Sequence, residues 1–137
     1  MEVYFDKDFK SILYDKSHHI LVGIWKTPVL SNEYRDSMKV MLQAMQQFGC
    51  GSLIYDTTHT TVLPEEDIAW TTEHWKPRAL EAGMKKMAIL APEDVFTHMA
   101  IDEMMQRSAD VNSAYFSSMA AAREWITRNS IPVYIIE

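Results

Sequence analysis

The sequence predicts a single α/β domain built on a mixed sheet, and three observations carry that expectation. Short apolar segments rich in β-branched and aromatic residues alternate along the chain with longer stretches whose apolar residues recur every three or four positions. The alternation begins only after two successive strand-like segments, Lys10 to Tyr14 and Ile20 to Lys26, parted by the short loop Asp15-Lys16-Ser17-His18-His19. The length of 137 residues fits one domain over 1–137, large enough to bury a core without staples. Strands separated by helices imply right-handed crossovers and parallel pairing, whereas a tight hairpin is antiparallel. The sheet is therefore mixed, with the early strands at an edge.

The elements follow in order. Val3-Tyr4-Phe5 is a further short strand or an ordered arm ahead of the hairpin. The first helix starts at Ser31 or Asn32 as cap, with Glu33 in its first turn. Tyr34, Met38, Met41, Leu42, Met45 and Phe48 form its apolar face, and Gly49 suits the left-handed residue that ends it. Leu53-Ile54-Tyr55 is a short buried strand. A second helix opens at Pro64, with Glu65, Glu66 and Asp67 where the helix dipole favours acids. Pro77 is expected to kink or break it near Lys76, and Gly83 ends the last turn. Met84 to Ala91 reads as a strand closed by Pro92, and Asp94 to Ser108 as a third helix, apolar on more than one side. Ala114-Tyr115-Phe116 is a very short strand. Ser117 or Ser118 caps a fourth helix through Arg128, and Val133 to Ile136 forms one more strand within a tail at 131–137.

Composition narrows the function. A net charge of −6 argues against a nucleic-acid surface and weakly against anionic membranes. No apolar run is long enough to span a bilayer, and the first residues lack the basic-then-apolar pattern of a signal peptide, so a cytoplasmic protein without membrane insertion is expected. Cys50, the single cysteine, excludes an intramolecular disulfide and a thiolate cluster; between Gly49 and Gly51 it reads as a small packing residue at the start of a strand.

The region from Ser52 to Ala82 is the functional candidate. A buried strand ends in the carboxylate of Asp56, hydroxyls follow at Thr57, Thr58, Thr60 and Thr61, and a helix N-terminus comes next. In open α/β sheets such strand ends are where ligands and partners dock. Trp70 and Trp75 in the following helix stand about 140° apart around its axis. Ile68, Thr72, Trp75 and Ala79 share one side, so Trp75 belongs to the core and Trp70 lies toward an edge. His74 is one turn from Trp70. The candidate binding residues are Asp56, Thr57, Thr58, Thr61, Trp70, His74, Met99 and Met104.

The element order resembles the STAS domain, the fold of bacterial anti-sigma-factor antagonists, and more closely the SpoIIAA-like family of small bacterial proteins. The residues that carry the likeness are Trp25, Leu53-Ile54-Tyr55-Asp56, Asp67-Ile68-Ala69-Trp70, Gly83 to Ile89, Phe116-Ser117-Ser118 and Ala122 to Ile126, over about 11–128. The resemblance implies a regulatory module that acts by protein contacts. Antagonists of that fold carry a phosphorylated serine in an Asp-Ser-Ser-Gly motif after the third strand. The corresponding loop here, Asp56 to Pro64, is threonine-rich and lacks glycine. The same broad fold group includes lipid-transfer domains of the CRAL-TRIO type, which lay an apolar ligand against the sheet.

Other chemistries find incomplete residue sets. Asp56-Thr57-Thr58-His59-Thr60 matches the Asp-x-Thr-x-Thr pattern around the phosphorylated aspartate of haloacid-dehalogenase-like enzymes. That chemistry also needs Mg²⁺-holding carboxylates at a later strand end, and the chain reads Leu90-Ala91-Pro92 there, with Glu93-Asp94 just beyond. Asp56 reads equally as an acceptor for loop amides, and the threonines as turn residues. His98 and Asp102 have a usable metal-ligand spacing without a third ligand, and His18 and His19 diverge from adjacent turn positions. No nucleophile elbow is present. Neither a metal nor a cofactor is expected.

The leading expectation is a non-enzymatic binding or regulatory module, a homodimer, acting through protein contacts around the loop after Asp56 and the following helix. The alternative is a carrier of a small apolar or lipid-like ligand in a groove between the second and third helices, walled by Trp70, Met99, Ile101, Met104 and Met105.

Overall fold

A computed structural model describes residues 1–59, 63–90 and 112–129. The strands are β1 (Glu2–Asp6), β2 (Lys10–Asp15), β3 (Ile20–Trp25), β4 (Ser52–Asp56), β5 (Lys86–Leu90) and β6 (Asn112–Phe116). They lie side by side in sequence order, β1-β2-β3-β4-β5-β6. The first three pair antiparallel, and β3 through β6 are parallel, so the sheet is mixed. β4 lies between β3 and β5, and β1 forms one margin.

The hairpin sets a register that matters for the interior. Lys10 faces Trp25, Ile12 faces Gly23 and Tyr14 faces Leu21. His19 takes a left-handed φ of 56° at the end of the connecting loop. Its imidazole bridges Tyr14 Oη (2.6 Å) and the Gly49 carbonyl (3.1 Å), which ties the hairpin end to the far end of α1.

Helix α1 (Ser31–Phe48) buries Tyr34, Ser37, Met38, Met41, Ala44 and Met45, close to the stripe its spacing predicts. Its cap differs from expectation. Leu30, not Ser31 or Asn32, is the extended cap residue, and its N–H donates to Glu33 Oε1 at 3.0 Å. Ser31 is already helical, and its hydroxyl is engaged elsewhere. Gly49 ends the helix at φ 57°, as expected.

The second helical rod departs further from the sequence reading. It comprises α2 (Glu65–Trp70), a π-helical turn (Thr71–Trp75) and α3 (Lys76–Glu81), and Pro77 does not break it. The Lys76 N–H donates five residues back, to the Thr71 carbonyl. This widened turn absorbs the proline, whose missing N–H and ring demand space that a regular α-turn denies. Helix α4 (Met119–Asn129) follows β6, and Ser118 Oγ accepts the Ala121 N–H at 3.2 Å as its cap.

The helices cover both faces of the sheet. On one side Ile12, Leu21, Trp25, Leu53, Tyr55, Met87 and Ile89 pack against Met38, Met41, Met45, Trp75 and Ala79. On the other, Ile20, Val22, Ile54, Ala88 and Leu90 pack against Ala122 and Ile126 of α4. Side chains alternate along each strand, so neighbours such as Ile54 and Tyr55 serve opposite cores.

The strand expected from Met84 begins instead at Lys86. Met84 is buried in the preceding turn, its N–H bound to the Ala79 carbonyl at 2.9 Å. At that turn Gly51 accepts the Lys85 N–H at 2.8 Å, and a Cβ on Gly51 would collide with the Gly83 carbonyl oxygen. Gly51→Ala is therefore expected to destabilise the fold by about 3 kcal/mol, since two backbones must separate. Urea unfolding checks this, and an unchanged midpoint would remove the packing argument.

The expected helix Asp94–Ser108 with Met99 and Met104, the strand Val133–Ile136 and Thr61 lie outside the described residues. Among the described residues no helix is long and apolar enough to cross a membrane.

Candidate functional site

Asp56 closes β4 half-buried, paired in register with Ile24 on one side and Leu90 on the other. Its Oδ1 accepts the Thr58 N–H at 3.1 Å and the Thr58 hydroxyl at 2.7 Å. A carboxylate that folds the next two residues over itself organises a turn. Thr57 is buried, and its hydroxyl donates to the Leu90 carbonyl at 2.6 Å, joining the tips of β4 and β5. Strand alternation sets Asp56 in phase with Ile54, on the α4 side, whereas Trp70 packs with the α1 core. The structure thus gathers Asp56, Thr57 and Thr58 but does not bring Trp70 to the same face. His74 is exposed on the outer side of the rod.

Helix α2 is clamped to α1 by a second acid. Asp67 is 1% exposed; its Oδ1 accepts Arg35 Nε at 2.8 Å and its Oδ2 accepts the Ser31 hydroxyl at 2.6 Å. Arg35 continues to the Glu66 carbonyl at 3.3 Å, with its guanidinium 5.4 Å from the Trp70 ring centre. Tyr34 meets Trp70 edge-on at 6.2 Å and stacks on Trp25 at 5.4 Å. The Tyr34 hydroxyl donates to Thr71 Oγ1 at 2.6 Å, and Thr71 in turn donates to the Asp67 carbonyl at 2.8 Å. Trp70 is therefore half-buried against its own domain and held in one orientation. Around it α2 and the π turn expose Glu65, Glu66, Glu73 and His74.

Lys10 is the third feature, and composition gave no hint of it. Its side chain is fully buried. Nζ lies 3.9 Å from the Trp25 ring centre and 5.1 Å from that of Tyr55. Its polar neighbours are Ser37 Oγ at 3.4 Å and Met38 Sδ at 3.8 Å, and no carboxylate pairs with it among the described residues. Gly23 admits the Tyr55 ring to this place, because a Cβ there would stand 2.6 Å from Tyr55 Cε1. Two effects compete over the charge. Aromatic faces return about 2 kcal/mol to a desolvated ammonium. Removing that ammonium from water costs several kcal/mol. Burial wins, and the Lys10 amine is held well below the usual lysine range. The same burial pushes the Tyr34 and Tyr55 phenols up. In each case burial favours the uncharged form.

A smaller cluster joins the hairpin to α4. Asp15 Oδ2 receives His18 Nδ1 at 3.0 Å and stands 3.3 Å from Arg123 Nε. Burial raises the Asp15 carboxyl, but the His18 hydrogen bonds and the Arg123 charge outweigh it, and the net direction is down. His18 and His19 diverge, as their adjacent turn positions predict. No group of three or more histidine, cysteine, aspartate and glutamate side chains is arranged to hold a metal among the described residues.

Comparison with known proteins adds no name to this geometry. The chain matches no protein-family model, and no curated protein or solved structure is significantly similar to it. The site must be read from its own residues. Sequence reasoning missed Lys10, Arg35, Asp67 and Asp15. A signal existed for Lys10: it is in phase with Ile12 and Tyr14, so a strand that buries Ile12 turns Lys10 inward too. For Asp67 the signal misled, because an acid in the first turn of a helix reads as a solvated dipole partner.

Proposed function

We propose that the chain is a non-enzymatic binding module of STAS-like type that docks a protein partner on α2 around Trp70. The observation that carries this reading is the seat of Trp70. An indole held between the Tyr34 edge and the Arg35 guanidinium, and still half-exposed, is a rigid aromatic anchor of the kind that concentrates binding energy at interfaces. The acids around it, Glu65, Glu66 and Glu73, suit a partner with a basic face. The Asp67 clamp lets α2 present that surface without first ordering it, which lowers the entropic cost of docking. A cytoplasmic homodimer belongs to the same proposal, with the second copy as one possible occupant.

Native mass spectrometry of protein purified from its own host tests the reading, since it reports subunit count, retained partner and retained ligand together. The expected result is a stoichiometric protein complex that weakens as salt rises and that Trp70→Ala weakens about tenfold or more. Stoichiometric uptake of a fluorescent fatty acid, abolished by Trp70→Ala, would replace this reading with the apolar-ligand carrier.

A further inference from the structure

β1 lies at the sheet margin, so among the described residues it has a strand neighbour on one side only. The hairpin ladder shows which of its backbone groups point outward. Lys7 N–H donates to the Lys10 carbonyl at 2.8 Å, and Lys10 N–H returns a bond to the Lys7 carbonyl at 3.3 Å. Backbone groups alternate in direction along a strand, so Ile12 and Tyr14 also turn theirs to β1, while Ser11 and Leu13 turn theirs to β3. Asp6 stands opposite Ser11, and Val3 opposite Leu13. The N–H and C=O groups of Val3 and Asp6 therefore point away from the sheet. In a regular strand two such residues are separated by an even number of positions. Here they are three apart, because the bulge between Val3 and Phe5 inserts Tyr4.

The bulge also sets the faces. Residues opposed across a ladder share a face. Glu2, across from Tyr14, lies on the α1 side, and Tyr4 and Phe5 pack against that same core. Val3, across from Leu13, lies on the α4 side, and Asp6, across from Ser11, lies there too. Lys7 returns to the α1 side by alternation. From Glu2 to Lys7 the faces run α1, α4, α1, α1, α4, α1, a pattern that is the same in either direction. A second strand of this sequence can lie antiparallel to the first with every face matched, provided Tyr4 and Phe5 sit at the centre.

We propose that two copies of the chain join through β1 in that register, which extends the sheet across a two-fold axis. The surface is separate from the one around Trp70, and only the homodimer is common to both readings. Val3 of each copy meets Asp6 of the other, and the pair exchanges both outward backbone bonds. Glu2 meets Lys7 of the second copy, so two exposed opposite charges pair on either side of the axis. Tyr4 meets Phe5 of the second copy in two aromatic cross-strand pairs. Asp6 brings no bare charge to Val3, since Lys26 Nζ already holds it at 2.7 Å. A slip of one residue would set Glu2 against Asp6 and mismatch the faces, so charge and pleat select one register. The pairing covers an edge whose Val3 side chain is otherwise 60% exposed. So short a ladder buries less than a standard interface, and a dissociation constant in the micromolar range is expected.

The test is sedimentation velocity of the full chain from about 1 to about 200 µM, a range that brackets such an affinity. Glu2→Lys and Lys7→Glu are each expected to weaken the dimer about tenfold, because each places like charges opposite one another twice. The double variant is expected to recover most of the affinity. Glu2 and Lys7 lie at opposite ends of one extended strand, so recovery requires a second copy. Trp70→Ala is expected to leave this dimer unchanged. Hydrogen exchange of the wild-type chain decides independently of any variant's folding: the Val3 and Asp6 amides are expected to slow as concentration rises. A monomer at every concentration, charge variants without effect, a folded double variant that does not recover, or species larger than a dimer would overturn the proposal. A dimer lost on Trp70→Ala and indifferent to the charge exchange would seat the second copy on α2 instead, and would overturn it as well.

Discussion

Trp75→Ala is expected to lower the unfolding free energy by about 4 kcal/mol, among the largest effects a single substitution can have on this chain. Trp75 is 2% exposed and lies at the point where the π turn passes over α1. Its indole N–H donates to the Met38 carbonyl at 2.7 Å, so truncation removes a buried ring and a hydrogen bond together. The cavity would open beside Met38, within the core that α1 and the rod share. Trp75→Phe restores most of the volume and loses only the N–H, so its cost should fall to about 1 kcal/mol. Trp70→Ala, at a half-buried position, should also cost far less than Trp75→Ala. Urea unfolding of the three variants settles the order. If Trp70→Ala proves as damaging as Trp75→Ala, the division into core and surface tryptophan is wrong.

The second large effect concerns pH. Below about pH 10.4 the unfolded chain carries a proton on Lys10. The folded chain binds that proton only at much lower pH, because burial opposes the charge. Unfolding therefore takes up a proton across the interval between, and stability rises with pH by up to about 1.4 kcal/mol per unit. The contribution is complete above the unfolded value and is lost as pH falls toward the folded one. Lys76 and Lys86, which burial also lowers, act in the same direction as Lys10, and the remaining groups act elsewhere or oppositely. Burial pushes the Cys50 thiol up, so its contribution is full below about pH 8.5 and declines above it. Tyr34 and Tyr55, also raised, lose theirs above about pH 10. Asp15 and Asp6, both lowered, lose theirs only in acid. From pH 7 to 8.5 the difference in slope between wild type and Lys10→Met isolates Lys10. There the wild-type chain should gain up to about 2 kcal/mol. Lys10→Met should rise less steeply and, at pH 7, be more stable than wild type by about 1–3 kcal/mol, since an apolar chain replaces a poorly satisfied amine. Parallel slopes in the two proteins would show that Lys10 keeps its proton in the fold.

These two residues show how unevenly the site could be read in advance. Trp75 was legible because a helix has a fixed period: its phase with Ile68 and Ala79 assigned it to the core before any contact was known. Gly49 was legible because a left-handed residue after a long apolar stripe has few alternatives. Asp56 was recognised as a strand end, but its partner Thr58 and its side of the sheet followed only from the ladder. The helix break at Pro77 failed because local proline chemistry allows two outcomes, a kink or a widened turn. Packing of Trp75 into the core accompanies the second. The cap of α1 shifted to Leu30 because the Ser31 hydroxyl has a stronger use on Asp67, 36 residues away in the chain.

What the sequence determined by itself is whatever depends on neighbours within a turn or two: the strands, the helical faces, the antiparallel opening hairpin and the parallel run that follows. Periods of two and of about 3.6 residues are local properties, and side-chain chemistry displays them directly. Only the tertiary structure decided where charge would be buried. Lys10 lost its solvent because Trp25, Tyr55 and Ser37, brought from three other elements, closed around it. Asp67 became a clamp because Arg35 and Ser31 faced it across two helices. Desolvation depends on everything that surrounds a group, and no stretch of chain carries that information alone.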